Sequence, residues 1–317
     1  MDKSLLISVI IPCYNGRAFI GEAIESVLAQ THTDWELIVI DDASTDDSKD
    51  IVKKFCADKR IRLLKNKKNL GIAKTKNKGI KISKGEILAF LDQDDIWQSD
   101  KLSLQLARLE QDAAAGVVCC AMTFTDPSGN ETTVFKGFDD KDQRELIKEL
   151  YITPVNSSSV MMIRRTSLGR TGVFNESLRG WDDYELLMRL GAEFRICYER
   201  RPLVKKRIHR GGAQRLPEVL AEEDRVFEGL LKVHPFLSEF KGERDARRFF
   251  DRSIELALSK EKGAHGFAGS SLALRPLSIT GWALYLITML PASFAAATVR
   301  TILSLAGKAK LVSNTRR

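Results

Sequence analysis

Ile87-Leu88-Ala89-Phe90-Leu91 runs directly into Asp92-Gln93-Asp94-Asp95. The apolar run is too short for a helix and reads as a strand buried on both faces, the kind found in parallel sheets covered by helices. The sequence on either side repeats that alternation. Leu5–Ile11, Trp35–Ile40 and Ile61–Leu64 are strand-like, whereas Ala18–Gln30, Ser44–Phe55, Ile72–Ile82 and Ser99–Glu110 have helical spacing. Ser44 is placed to cap its helix, and Ile72–Ile82 carries a basic face. Val117–Phe124 closes the series. Strands alternating with helices of this length imply βαβ units with right-handed crossovers. The predicted class is α/β, a Rossmann-like and mostly parallel sheet with helices on both faces.

The pattern loosens after Asp126. Residues 126–140 hold Pro127, Gly129 and Gly137 among polar residues and read as a loop or hairpin over the sheet edge. A helix (Lys141–Leu150), a strand (Ser159–Arg164), a helix (Asp182–Leu190) and strand pieces at Phe194–Tyr198 and Leu203–His209 follow, and from Pro217 the chain reads as helices. Ile279 to Val299 carries no charge, with Pro291 interrupting the run and Arg300, Lys308, Lys310, Arg316 and Arg317 beyond it. The length approaches a bilayer span. The proline and the small residues favour instead a re-entrant or interfacial helix pair held by apolar faces and a basic end. The expected organisation is a catalytic domain over 1–215, a helical extension over 216–275 and a membrane-associating tail over 276–317.

Composition narrows the function classes. An apolar fraction of 44% and a charged fraction of 29% are those of a globular chain, and the net charge of +8 suits anionic partners. Cys13, Cys56, Cys119, Cys120 and Cys197 include no CxxC pair, which argues against a structural zinc site and fits free thiols in a reducing compartment. The apolar run after Met1-Asp2-Lys3-Ser4 is too short for a signal peptide, so a cytoplasmic catalytic part is expected. No basic motif with an aromatic platform is present, so no nucleic-acid partner is expected.

Ligands of an open parallel sheet sit beyond the carboxyl ends of its strands. There the sequence places Pro12, Cys13, Tyr14, Asn15 and Gly16, then Asp41 and Asp42, then Asp92, Gln93, Asp94 and Asp95. Gathered carboxylates repel one another unless a cation stands among them, and hard oxygen ligands select magnesium or manganese. Asp41-Asp42 alone is also ordinary turn chemistry, and Tyr14-Asn15-Gly16 is a common turn.

Five blocks together give a more specific signal: Val9-Ile-Ile-Pro-Cys-Tyr-Asn15, Val39-Ile-Asp-Asp-Ala-Ser-Thr-Asp46, Asn69-Leu-Gly-Ile-Ala-Lys-Thr-Lys-Asn-Lys-Gly79, Gly85-Glu-Ile-Leu-Ala-Phe-Leu-Asp-Gln-Asp-Asp95 and Gly180-Trp-Asp-Asp-Tyr-Glu-Leu-Leu-Met-Arg-Leu190. In order and spacing they resemble the family 2 glycosyltransferases, inverting enzymes of the GT-A fold. The resemblance implies a nucleotide sugar as donor, UDP-sugars favoured, with Mn2+ or Mg2+ as cofactor. It places Pro12 and Tyr14 along the base, Asp42 at the base edge, and Asn15, Asp41, Lys74, Asn77 and Gln93 on the donor side. Asp92 and Asp94 match the family's Asp-x-Asp motif, Asp92 near ribose and metal and Asp94 on the metal. Asp95 also matches the pattern. His209 is a further candidate metal ligand, and Arg207 and Arg210 are candidate phosphate contacts. Two departures stand out: the family often has Arg where Lys76 stands, and usually Glu where Asp182 stands.

Breaking a glycosyl–phosphate bond calls for positive charge at the leaving diphosphate and a base for the acceptor hydroxyl. With inversion the base lies across the sugar from the diphosphate, outside the metal cluster. Asp183 holds the family's base position, although an acid opening a helix also serves the helix dipole. Trp181, Asp182 and Tyr184 are acceptor-side candidates. A glycan or lipid-linked acceptor in cell-surface polysaccharide or glycoconjugate synthesis, at the inner face of the plasma membrane, is the expected setting. A nucleotidyltransferase would need a Gly-rich phosphate loop where Cys13-Tyr-Asn-Gly-Arg17 stands. An aspartyl-phosphate phosphotransferase would carry its acids on the first strand. A non-catalytic scaffold would have no need of Asp92, Asp94 and Asp183 together.

Overall fold

A computed structural model describes residues 5–138, 142–155, 157–209, 217–259, 263–276 and 278–305. The first half alternates β1 (Ile7–Cys13), α1 (Ile20–Leu28), β2 (Trp35–Asp41), α2 (Ser48–Phe55), β3 (Ile61–Lys65), α3 (Ile72–Ile82) and β4 (Ile87–Phe90). These strands form the parallel block β3-β2-β1-β4, with Ile7 opposite both Trp35 and Ile87. Every residue of β1 is buried, as a strand sandwiched between helices requires. Pro12 falls past the last β4 pairing, Ile10 with Phe90, where a missing N–H breaks no ladder bond on that side. Helix α3 packs so closely that a Cβ on Gly79 would lie 2.5 Å from Ile10 Cγ2.

The second half comprises β5 (Ile96–Trp97), α4 (Lys101–Gln111), β6 (Ala115–Thr125), β7 (Glu131–Phe135), α5 (Gln143–Ile152), β8 (Met162–Arg164), α6 (Arg165–Thr171), α7 (Asp182–Glu193) and β9 (Arg195–Arg207). The sheet continues β4-β8-β6-β9-β5, with β7 forming a hairpin against β6. Parallel pairing governs the whole of the first block and one long pair beyond it. Past that block the sheet is mixed: β8 is antiparallel to β4 and β6, β5 is antiparallel to β9, and β6 and β9 run parallel. The two strand pieces expected around residues 194–209 are one strand, β9, whose register against β6 shifts near Cys120 and Ala121. The helix expected from Ser44 begins at Ser48. Ala43 is left-handed at φ 64, and Ser44 and Thr45 are held by Asn15 instead, Ser44 Oγ accepting its N–H and Thr45 donating to its Oδ1.

Helices α8 (Pro217–Val233), α9 (Lys241–Ser259), α10 (Ala264–Leu274), α11 (Ile279–Thr288) and α12 (Ala292–Leu305) follow. Phe227 and Leu230 of α8 join the main core. A second, small cluster (Leu256, Ala257, Ala264, Ala268, Leu284, Val299) ties α9 to α12. Ile279 at the start of α11 is 86% exposed, and Met289 and Phe294 around the α11–α12 turn are 61% and 66% exposed. Among the described residues no helix is long and apolar enough to cross a membrane. All five cysteines are free thiols.

Candidate active site

The carboxyl ends of β1, β2 and β4 lie side by side and present three loops to one rim. Asp42, at the end of β2, is buried and accepts three hydrogen bonds: Asn66 Nδ2 at 2.7 Å and the N–H of Leu70 at 2.9 Å on Oδ1, and the N–H of Gly71 at 2.9 Å on Oδ2. It thereby fixes the entry to α3. Asp41 takes the Ser44 N–H at 3.3 Å on Oδ1, while its buried Oδ2 has no partner. Gln93 clamps the first loop to the third, its side-chain amide accepting the Tyr14 N–H at 2.8 Å and donating to the Tyr14 carbonyl at 3.1 Å. With its backbone so held, the Tyr14 ring stands half exposed at the rim. Lys74 is exposed on α3. Asn77 turns the other way, accepting the Phe174 N–H and donating to the Phe174 carbonyl and Glu176.

Each acid of the third loop has its own partner. Asp92 Oδ1 accepts the Ser158 hydroxyl at 3.0 Å, and its Oδ2 lies 4.0 Å from Lys206 Nζ. Asp94 Oδ2 is 2.7 Å from His209 Nε2. Asp95 is enclosed, accepting the Ser159 hydroxyl at 2.7 Å and the Arg207 N–H at 3.1 Å. The end of β9 thus reads the loop residue by residue. Burial works to raise Asp94, but the His209 hydrogen bond and the Lys206 charge outweigh it and hold Asp94 below the usual range. At Asp95 burial outweighs the Lys206 charge and the Ser159 hydrogen bond and, with Asp94 and Asp92 adding to the rise, pushes the group up to about 7. Arg207 points its guanidinium at Glu22 and the Pro127 carbonyl, over the Phe19 ring, and Arg210 lies outside the described residues.

Helix α7 brings two further acids to the same region. Asp182 and Asp183 are both buried in its first turn. Asp182 pairs with Lys76 of α3, Oδ2 to Nζ at 3.2 Å. Asp183 accepts the Tyr184 N–H at 2.7 Å on Oδ1. Burial pushes Asp183 up to about 7; the nearby Asp182 and Asp92 add to the rise, and Lys76 and Lys206 oppose it. Asp92, Asp182, Lys76 and Lys206 therefore lie within electrostatic reach of Asp183, which brings the third loop and the first turn of α7 together. Trp181 is half-buried, edge-on to Tyr184 and Phe227 at centroid distances of 5.7 and 5.6 Å. Tyr184 lies wholly in the core and donates its hydroxyl to the Leu150 carbonyl, bracing α7 against α5.

Asp94 and His209 form a carboxylate–imidazole pair, while Asp92 is engaged by Ser158 and Lys206. Among the described residues no three His, Cys, Asp or Glu side chains stand close enough together to hold a metal alone. A carboxylate with phosphate oxygens and water is the usual arrangement for magnesium at a nucleotide, and Asp94, with His209 as an added nitrogen ligand, would supply the protein side of such a site. Ser158, Ser159 and Lys206 are parts of the site that the sequence did not reveal. The signal was there: a Ser157-Ser158-Ser159 run just ahead of a strand, and a lysine sharing a strand face with buried Val204.

Comparison with known proteins agrees with this architecture. The model of the family "Glycosyl transferase family 2" matches residues 8–172. An uncharacterized glycosyltransferase of Rickettsia typhi is 30% identical over 292 residues, covering 83% of this chain and 88% of its own length. WfgD of Escherichia coli, a UDP-Glc:alpha-D-GlcNAc-diphosphoundecaprenol beta-1,3-glucosyltransferase, is 43% identical over 104 residues, 33% of this chain and 41% of WfgD. The crystal structure of S. aureus TarS 1-349 in complex with UDP-GlcNAc superposes with a TM-score of 0.67 at 20% identity, covering 95% of this chain and 92% of that one. The chain belongs to glycosyl transferase family 2, and its fold is the GT-A fold. It spans less than half the length of several curated relatives that it matches.

Proposed function

We propose that this chain is an inverting glycosyltransferase that moves a sugar from a nucleoside-diphosphate donor to a hydroxyl of a glycan or lipid-linked acceptor. The observation that carries the reading is Asp183: a buried acid raised to about 7, near enough to Asp92 and Lys206 for their charges to act on it. An acid titrating near neutrality is poised to accept a proton there. As the acceptor oxygen forms its bond to the anomeric carbon, the bond to the donor phosphate breaks, the diphosphate leaves with the electron pair, and Asp183 takes the hydroxyl proton. Asp94 and His209 would hold Mn2+ or Mg2+, which supplies positive charge to the leaving diphosphate when bound. Pro12, Tyr14, Asp41 and Asp42 line the end reserved for the nucleotide base. Gln93 and Asn15 fix the loops around it, and Lys74 adds charge at the open rim. WfgD, with a UDP-sugar donor and a diphosphoundecaprenol-linked acceptor, supports a uridine nucleotide and a lipid-linked glycan as the classes to try first.

The setting follows from α11 and α12. Their outward apolar side chains, Ile279, Trp282, Leu286, Met289 and Phe294 among them, adjoin a stretch from residue 276 onward that has basic residues and no acid. Such a surface suits an anionic bilayer at the cytoplasmic face of the plasma membrane, contacted rather than spanned. The decisive experiment is nucleotide release from a panel of UDP-, GDP- and TDP-sugars, with and without Mn2+ or Mg2+. Release from a uridine donor that requires a divalent ion is the expected result. Tight donor binding with no release from any donor would make the chain a scaffold.

A further inference from the structure

Lys76 and Asp182 are 106 positions apart in the chain, yet Nζ of the one lies 3.2 Å from Oδ2 of the other, and the two side chains are 1% and 2% exposed. An ammonium this enclosed cannot reach a diphosphate in the cleft without abandoning a buried carboxylate, and an unpaired buried charge is strongly unfavourable. Its Nζ also lies 4.8 Å from the Phe174 ring and within electrostatic reach of Asp92 and Asp183, yet Asp182 is its hydrogen-bond partner. The adjacent residue on α3, Asn77, grips the backbone of Phe174 through both its N–H and its carbonyl. Helix α3 is therefore fastened twice to the segment that enters α7, once through Asn77 and once through Lys76. Asp182, the acid it holds, is the residue next to Asp183. Little more than one turn earlier, α3 is capped by Gly71, whose N–H is bound by Asp42. One helix thus links the nucleotide rim to the wall that carries the base. The two departures from the family pattern, Lys at 76 and Asp at 182, are each other's partners.

We propose that the Lys76–Asp182 pair is a positioning strut for Asp183, so that Lys76 serves the base side of the cleft and not the donor diphosphate. The inference rests on Asp183 as base. Its test is Lys76→Met/Asp182→Leu, which removes both charges while keeping the volume, assayed for melting temperature, donor KM and kcat of nucleotide release. Neither charge is left alone, so the melting temperature should stay near the parent's. A misplaced base should still lower kcat by at least about tenfold, with donor KM within about twofold. Lys76→Met alone should lose stability as well as kcat, and Lys76→Arg, which keeps the charge, should recover most of that rate. If the double variant does not fold, Asp182→Asn keeps the shape and drops the charge, with the same expected split. Parental kcat in the charge-free variant would reduce the pair to packing. A tenfold rise in donor KM at unchanged kcat would make Lys76 a donor contact, and either result overturns the proposal. Asp183→Asn, run beside them, separates this from a failure of the base reading. Full activity there removes the base, whereas the donor KM still decides which side Lys76 serves.

Discussion

Asp94, in the loop after β4, and Asp183, in the first turn of α7, are the same side chain in two surroundings that drive them in opposite directions. Asp183 is buried and Asp94 largely so, and burial alone raises a carboxyl. At Asp94 the His209 hydrogen bond and the Lys206 charge reverse that tendency, so the group stays anionic. At Asp183 two neighbouring acids reinforce burial, two lysines only moderate it, and the group rises to about 7. The lesson concerns division of labour. A carboxylate kept ionised suits a cation, one poised near neutrality suits a proton, and acids pushed apart in this way mark which does which.

The comparison breaks most sharply at Asp94. Asp94→Ala should lower turnover by about a thousandfold, the scale of removing electrostatic stabilisation at a leaving group, and should erase the effect of Mn2+ on donor binding. Unchanged metal dependence of donor binding in that variant would remove Asp94 from the cation site. Asp183→Asn should keep metal-dependent donor binding and lose transfer by about a hundredfold. Normal transfer would end its assignment as base.

Acid–base behaviour sharpens the contrast. Since transfer needs Asp183 ionised, kcat should fall about tenfold per pH unit below about 7, and a limb lying near pH 4 would contradict its raised value. Stability runs the other way. Folding raises Asp183 above its ordinary 3.8, so its contribution is complete below about pH 4 and is lost as pH rises to about 7. Asp183→Asn should therefore flatten that part of the stability curve in urea titrations at successive pH values.

Smaller effects test the frame around the two acids. Gly79→Ala would place a methyl 2.5 Å from Ile10 Cγ2 and should cost about 1–3 kcal/mol in denaturant unfolding, with donor KM little changed. Ile279→Ser/Phe294→Ser should weaken sedimentation with anionic vesicles several-fold and leave nucleotide release intact. Equal sedimentation of parent and variant would locate the membrane contact elsewhere.

The parallel half was legible because its signals are local. Buried runs such as Ile7–Ile11 and Ile87–Leu91 state their own type, and acids that follow them must fall at the rim. The mixed half was less so. β5 is only two residues long, and the direction of β8 depends on where β4 and β6 already stand. Within the site, Asp92, Asp94 and Asp183 could be singled out by residue type and order. The isolated sequence showed Lys76 as one basic residue on a basic helix face, and nothing local distinguishes it from the exposed Lys74 two positions earlier.

What the amino-acid sequence determined by itself was the inventory: the family, the alternation that builds the parallel block, and the acids offered at strand ends and at the first turn of α7. Which acid stays charged and which rises toward neutrality was decided only in three dimensions. That outcome depends on ammonium and imidazole groups brought from positions 76, 206 and 209, and electrostatic energy depends on distance and burial, neither of which a linear order of residues contains.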